Sequence, residues 1–316
     1  MRKMAEVFFR ASNDAMKSIT YAYDFVHPVT VSMKYLRKEI EKLKLLHGTI
    51  TNDEIKAIID PDSMVYGVNY ERSFLQERAE EQEERIAWLL LNNLFAIHEG
   101  WAQRLYTEIF AGYGYAEKSF VKNLEFSGLS NKIATYFIPS SKKSTRMEGA
   151  FFEVYKQKSG LDFNKLDNYM LCYRYFKEAR NCFMHGNFIA SQKVILAYNN
   201  YISIATTGNF DVSEVPITIA PTLNTKINLS LRGVIGFSQI LLRIIRICDA
   251  YLLCAKAAEK EFLDRKPEDW KIQTLNGTPA KAREQISSYS MKAGFMRAKW
   301  TRDYQNYLLD KNIFTL

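Results

Sequence analysis

Arg180, Asn181 and His185 are the residues of this chain best suited to chemistry, set in the run Phe176-Lys177-Glu178-Ala179-Arg180-Asn181-Cys182-Phe183-Met184-His185-Gly186-Asn187. An imidazole titrates near neutral pH, so His185 can accept or return a proton. A guanidinium carries a permanent charge in a planar fork that fits phosphoryl oxygens, so Arg180 can steady developing negative charge. Asn181 can orient the anion or the imidazole. Together the three suit proton transfer beside an anion.

A helix has to position them. Leu166, Tyr169, Tyr173 and Phe176 recur at spacings of three and four, the buried face of a helix, and the next positions of that stripe are Arg180 and Phe183. A guanidinium in an apolar seam is costly unless paired or solvated. Asn181 and His185 are four apart and share the adjoining face. Gly186 reads as a helix stop, which places His185 in the last turn. The same pattern also suits a purely structural end, with a histidine favoured by the helix dipole and an arginine buried in a pair.

A second helix is written upstream. Ile86, Leu90, Leu94, Ile97, Trp101, Leu105 and Ile109 form one stripe, with His98 inside its apolar arc and Glu99 near the edge. His98 is either hydrogen-bonded core structure or a group approaching Arg180 and His185 from a facing helix.

Arg180-Asn181-x-x-x-His185-Gly186 resembles the R-x4-H motif of the HEPN superfamily, including the polar residue directly after the arginine. The resemblance covers roughly residues 80–262 and includes the order of elements: a long helix, the motif helix, an inserted segment and a third helix, as in abortive-infection members. It implies a helical bundle and a metal-independent endoribonuclease, with two protomers pairing their motifs into one composite site. Arg180, His185 and Asn181 are then the catalytic residues, and Glu99 and His98 supporting ones. It further implies a bacterial toxin or antiviral defence effector that cuts cellular or phage RNA. Such an enzyme has to be held in check by an antitoxin or other regulatory partner. The alternative is a HEPN-like module that binds RNA or protein without cutting. A third reading is a helical dimerisation scaffold.

Composition agrees with a folded polyanion binder without demanding one. The 316 residues are 47% hydrophobic and 25% charged, with a net charge of +8. Four cysteines, Cys172, Cys182, Cys248 and Cys254, have no C-x-x-C spacing and sit among apolar neighbours, as small buried hydrophobes in a reducing cytosol do. The first residues lack the apolar core of a signal peptide. The longest apolar stretch, Val234 to Ala258, carries Arg243, Arg246 and Asp249, which argues against a membrane span. A cytoplasmic protein is expected. No phosphate-binding glycine loop, dinucleotide turn, H-E-x-x-H helix or G-x-S-x-G elbow appears, and His27, His47, His98 and His185 are scattered, so no metal or cofactor is expected.

Three further regions invite assignment. Residues 1–78 read as an N-terminal subdomain or lid. It holds a basic helix from Thr30 to Leu46 and a short one from Thr51 to Ile59, which opens on a capping box of Thr51 and Glu54. Pro139 to Met147 reads as a polar loop bringing Lys142, Lys143 and Arg146 to phosphates near the site. Residues 263–316 read as a basic helical extension, where Arg297, Lys299 and Trp300 could meet RNA through charge and stacking. The opposing reading of that tail packs its aromatics inward. Between the motif helix and the next, Val194 to Ala205 and the alternating pairs Ile217/Ile219 and Ile227/Leu229/Leu231 predict a short β insertion at about 194–231. The expectation is a mainly α, HEPN-like bundle over 79–262 with that insertion and helical extensions at both ends.

Overall fold

The computed structural model describes residues 6–62, 67–124, 142–275 and 277–316. The fold is mainly α. Its helices are α1 (Arg10–Leu46), α2 (Asn52–Ile59), α3 (Ala79–Leu105), α4 (Glu117–Leu124), α5 (Glu153–Ser159), α6 (Leu166–His185), α7 (Gln192–Ile202), α8 (Leu231–Leu252), α9 (Ala258–Asp264), α10 (Pro279–Lys292) and α11 (Arg302–Asp310). Among the described residues the one sheet is a parallel pair, β1 (Gln273–Thr274) with β2 (Phe314–Thr315).

The centre is built from α3, α6 and α8. Phe95 of α3 stacks on Phe237 of α8 at 5.5 Å, and Phe176 of α6 stacks on the same ring at 4.5 Å. The stripe on α3 turns inward as its spacing demands: Leu90, Leu94, Trp101, Leu105 and Ile109 are buried. α8 is apolar on most of its circumference and buried along it, with Arg243 and Arg246 at its edges. All four cysteines are free and buried. Among the described residues no helix is long and apolar enough to cross a membrane.

α1 extends well beyond the expected Thr30–Leu46 segment, beginning at Arg10 and running through Pro28. A proline inside a helix removes a hydrogen bond to the carbonyl four residues back. Here both Asp24 and Pro28 are exposed, so water can take that carbonyl. The first half of α1 buries Ala11, Ala15, Ile19 and Val26 in the main core. Its second half adds Ile40 to a small separate cluster with Ile50, Ile55, Tyr70 and Phe74. The capping box of α2 forms: the Thr51 side chain accepts from the Glu54 amide, and Glu54 accepts from the Thr51 amide. Glu71 to Arg85, dense in alternating charge, suits the solvated start of the long helix, yet its first part is not continuous with α3. A π-helical turn at Arg72–Gln76 is followed by extended Glu77 and Arg78 before α3 starts. The sequence from Phe120 to Phe137 also suits a helix; α4 holds its described part, and residues 125–137 lie outside the described residues.

The expected β insertion is not a sheet. Gln192–Ile202 is helix α7, because Val194, Ala197 and Tyr201 occupy one face at helical spacing and bury it against α6. Tyr175 of α6 stacks on Tyr201 at 5.9 Å and meets Tyr198 edge-on at 5.6 Å. The β-branched residues that suggested a strand are outweighed by that packing. After a single turn at Thr207–Phe210 the chain is irregular to Ser230, with turns at 211–214 and 223–225 and one isolated bridge, between Ile189 and Lys226. This segment presses onto α8 where two glycines leave room. A Cβ on Gly233 would sit 1.9 Å from the Ile217 carbonyl oxygen, and one on Gly236 3.0 Å from the Pro216 Cα.

Candidate active site

The motif helix ends where its sequence sets it. The Cys182 carbonyl accepts from the amides of Gly186 at 2.8 Å and Phe188 at 3.1 Å, closing the last turn on His185. The left-handed residues that reverse the chain are Asn187 (φ 48°) and Phe188 (φ 68°), not Gly186. At Gly186 space is tight instead, since a Cβ there would meet the Cys182 carbonyl oxygen at 3.0 Å. A phenylalanine in the left-handed region costs on the order of 1–3 kcal/mol and persists only when its surroundings enforce it. They do so here. The Phe188 ring packs against Phe183 at 4.7 Å and Trp88 at 5.4 Å, and its carbonyl accepts from the Ile227 amide at 2.8 Å.

Arg180 lies at the rim of the buried stripe with its side chain 22% exposed. Its Nη2 is 3.6 Å from Oε1 of Glu99 on α3, which makes an ion pair longer than a good hydrogen bond. Its Nε is buried and lacks a hydrogen-bond partner among the described residues. The guanidinium is therefore held in place by charge, with its Nε enclosed and the side chain partly open to solvent. Asn181 is half-buried. His185 is exposed at the helix end, and among the described residues it has no hydrogen-bond or ion-pair partner.

Glu99 and His98, adjacent in sequence, point to different environments. Glu99 reaches Arg180. His98 is fully buried between Trp101 and Tyr173, with ring centroids at 5.3 and 5.2 Å, and its Nδ1 is 3.4 Å from the Tyr173 hydroxyl. Burial, aided by the charge of Lys177, pushes its pKa down to about 3. It is a neutral core ring.

The basic loop is not brought to the motif. Ser144 donates its amide to the Cys254 carbonyl, and the Lys142 carbonyl accepts from Lys256, just past the C-terminus of α8. His185 sits at the other end, where its neighbours Phe183 and Phe188 meet Trp88 and the residues entering α8. The 22 residues of α8 separate these ends by about 33 Å. Lys142 lies over the Tyr115 ring at 4.1 Å, Lys143 is 3.9 Å from Glu148, and Arg146 is 3.7 Å from Glu259 and over the Tyr307 ring at 5.0 Å. These cations hold the loop to the body; Pro139 to Ser141 lie outside the described residues.

The tail is at that far end too, and most of its aromatics pack inward. Phe295, Tyr289 and Tyr304 are buried, with Phe295 stacked on Phe8 at 4.8 Å and Phe262 at 5.2 Å. Trp300 is half-buried, donates to Gln305 at 2.9 Å and carries Arg283 4.5 Å above its ring, while Lys299 is exposed. Arg297 faces a concavity of about 650 Å³ that Trp270, Lys281 and Lys292 also line. Sequence reasoning passed over Trp270. The signal for this concavity was the polar row Lys281, Glu284, Gln285, Ser288 and Lys292 along one face of α10, opposite the buried Ala282, Ile286 and Tyr289. Among the described residues no three His, Cys, Asp or Glu side chains gather in a way that could hold a metal ion. Comparison of the chain with profiles of known families, with characterised proteins and with solved structures gives no match.

Proposed function

We propose that this protein is a metal-independent endoribonuclease of HEPN type, acting as a homodimer in which two Arg180/His185 pairs share one groove. The observation that carries the reading is the contrast within one helix end. An imidazole stands free in solvent one turn beyond a guanidinium that is aimed by a single carboxylate at 3.6 Å and is partly open to solvent. In the reaction, one His185 imidazole takes the proton of the ribose 2′-hydroxyl, and the freed oxygen attacks the adjacent phosphorus. Arg180 holds the phosphoryl oxygens as charge builds on them. The bond from phosphorus to the 5′-oxygen breaks, and an imidazolium returns a proton to the leaving oxygen. The products are a 2′,3′-cyclic phosphate and a free 5′-hydroxyl. One histidine cannot give and take a proton in the same step, so the second copy from a partner protomer supplies the acid. Exposed apolar side chains beside the motif, Met184, Ile189 and Leu89 next to the buried Trp88, suit a surface covered by that protomer.

The cellular role consistent with this chemistry is a toxin or antiviral defence effector with an inhibitory partner. The test is cleavage of total RNA by purified protein in EDTA, with His185→Ala beside wild type and mass measured by light scattering. Discrete fragments from a wild-type dimer alone support the reading. An active strict monomer ends the composite site, and equal cutting by both proteins ends the role of His185. A non-catalytic RNA-binding module is the second reading. It is favoured by the cluster of cations around Trp270, which lies far from the motif.

A further inference from the structure

The concavity on the outer face of α10 has a chemistry that cleavage does not use. Between residues 281 and 303 six cations, Lys281, Arg283, Lys292, Arg297, Lys299 and Arg302, face two carboxylates, Glu284 and Asp303. Three of those cations, Lys281, Lys292 and Arg297, line one hollow of about 650 Å³ with a single carboxylate, Glu284. All three are exposed, and none has a salt-bridge partner among the described residues.

The floor of the hollow is an aromatic ring held rigidly. Trp270 donates its indole N–H to the Ile313 carbonyl at 3.0 Å and is braced edge-on by Tyr289 at 4.7 Å and Phe314 at 5.5 Å. Lys292 hangs 5.5 Å from its ring centroid, ready to be displaced toward a phosphate. Gln273 and Ser288 add uncharged hydrogen-bonding groups. Converging cations, a fixed π-face and amide or hydroxyl groups are what the phosphates and the base of an unpaired nucleotide require. A duplex would need a long, even basic stripe to track its backbone.

We propose that the hollow lined by Trp270, Lys281, Lys292 and Arg297 binds single-stranded RNA, at the opposite end of the helical body from Arg180 and His185. Its affinity does not depend on cleavage, so the two sites are separable. The experiment measures fluorescence anisotropy of a labelled single-stranded RNA oligonucleotide with the full chain, over a series of salt concentrations. Lys292→Gln combined with Arg297→Gln weakens binding by about tenfold or more near physiological salt, and lowers the slope of log K against log salt by about 1.4, or about 0.7 per lost cation. Trp270→Phe keeps an aromatic ring, though not its hydrogen bond to Ile313, and weakens binding by a few-fold, with loss of the fluorescence quenching that RNA produces in the wild type. Lys17→Gln with Lys158→Gln, exposed cations elsewhere with the same charge change, leave affinity within about twofold.

An equal loss in that control pair, an unchanged affinity in the Lys292/Arg297 pair, or equal binding of duplex RNA or of anionic vesicles would overturn the assignment. Binding without cleavage by the wild type counts against the nuclease and leaves the hollow standing. Cleavage with an intact salt slope in the Lys292/Arg297 pair does the reverse.

Discussion

The two ends of the helical body treat charge in opposite ways. At the end where α6 stops, Arg180 has one carboxylate at 3.6 Å, its Nε is unmatched, and His185 stands in water. At the end where α8 stops, beneath the exposed cations of the hollow, two carboxyl groups are drawn inward and fastened to backbone. Asp249 is fully buried and accepts from the amides of Phe8 and Phe9, and Glu261 accepts from the Arg10 amide at 3.0 Å and pairs with Arg265 at 2.8 Å, both side chains 8% exposed. Those contacts pin the start of α1 to the core. Charge that is buried and matched builds the fold, whereas charge left incompletely matched at a helix end is available to a ligand.

If that contrast is sound, substitutions at the two ends separate activity from stability. His185→Ala has the largest expected effect: RNA cleavage falls by roughly a thousandfold, in the range that general acid–base groups contribute, while the unfolding midpoint moves by less than about 2 °C. Arg180→Gln falls by roughly a hundredfold. Activity and thermal unfolding of the same preparations check both. A large loss of stability in His185→Ala would show that the exposed imidazole is structural. At the other end Glu261→Gln keeps an acceptor for the Arg10 amide but strands the Arg265 cation in a buried setting, at a cost of about 3 kcal/mol. Cleavage measured well below its unfolding midpoint stays near wild type. Urea unfolding of that variant decides the point, and a change under about 1 kcal/mol would mean the pair is solvated.

How much of this was legible beforehand follows from what each signal measures. Periodicity located α3, α6 and α8 because their faces are buried continuously, and local chemistry located the capping box of α2 because it is made within four residues. The strand expected from Val194 to Ala205 failed because β-branched content is a weak local preference. The stacking of Tyr198 and Tyr201 on Tyr175 comes from a helix distant in sequence. Lys142, Lys143 and Arg146 carried a correct charge and no address. Only the backbone pairing of Ser144 and Lys142 with residues 254–256 places them away from His185. His98 and Glu99 show the same limit within two residues, since a step of about 100° on a helix separates a core ring from an arginine's partner.

The comparison also has a pH form, with the smallest expected effect per measurement. His98 on α3 and Asp249 on α8 are both fully buried, and burial shifts each toward its neutral form. The histidine falls from 6.5 to about 3, so between those values the unfolded chain binds a proton that the folded one does not. Its contribution to stability is present above pH 6.5 and is lost as pH falls. The aspartate rises from 3.8 to about 7 through burial, opposed by hydrogen bonds from Ser12, Phe8 and Phe9, so the folded chain holds a proton the unfolded one has released. Its contribution is present below pH 3.8 and is lost as pH rises. From about pH 4 to 6.5 the two slopes, each about 1.4 kcal/mol per pH unit, oppose one another. His98→Gln removes the rising component, so relative to wild type its unfolding free energy declines as pH goes from 4.5 to 6.5. Asp249→Asn removes the falling component and shows the reverse. Urea unfolding at those two pH values, read as the difference in slope from wild type, separates the effects from any overall loss of stability. Parallel curves for all three proteins would mean that water reaches both groups, and that the core is not the dry counterpart of the exposed motif end.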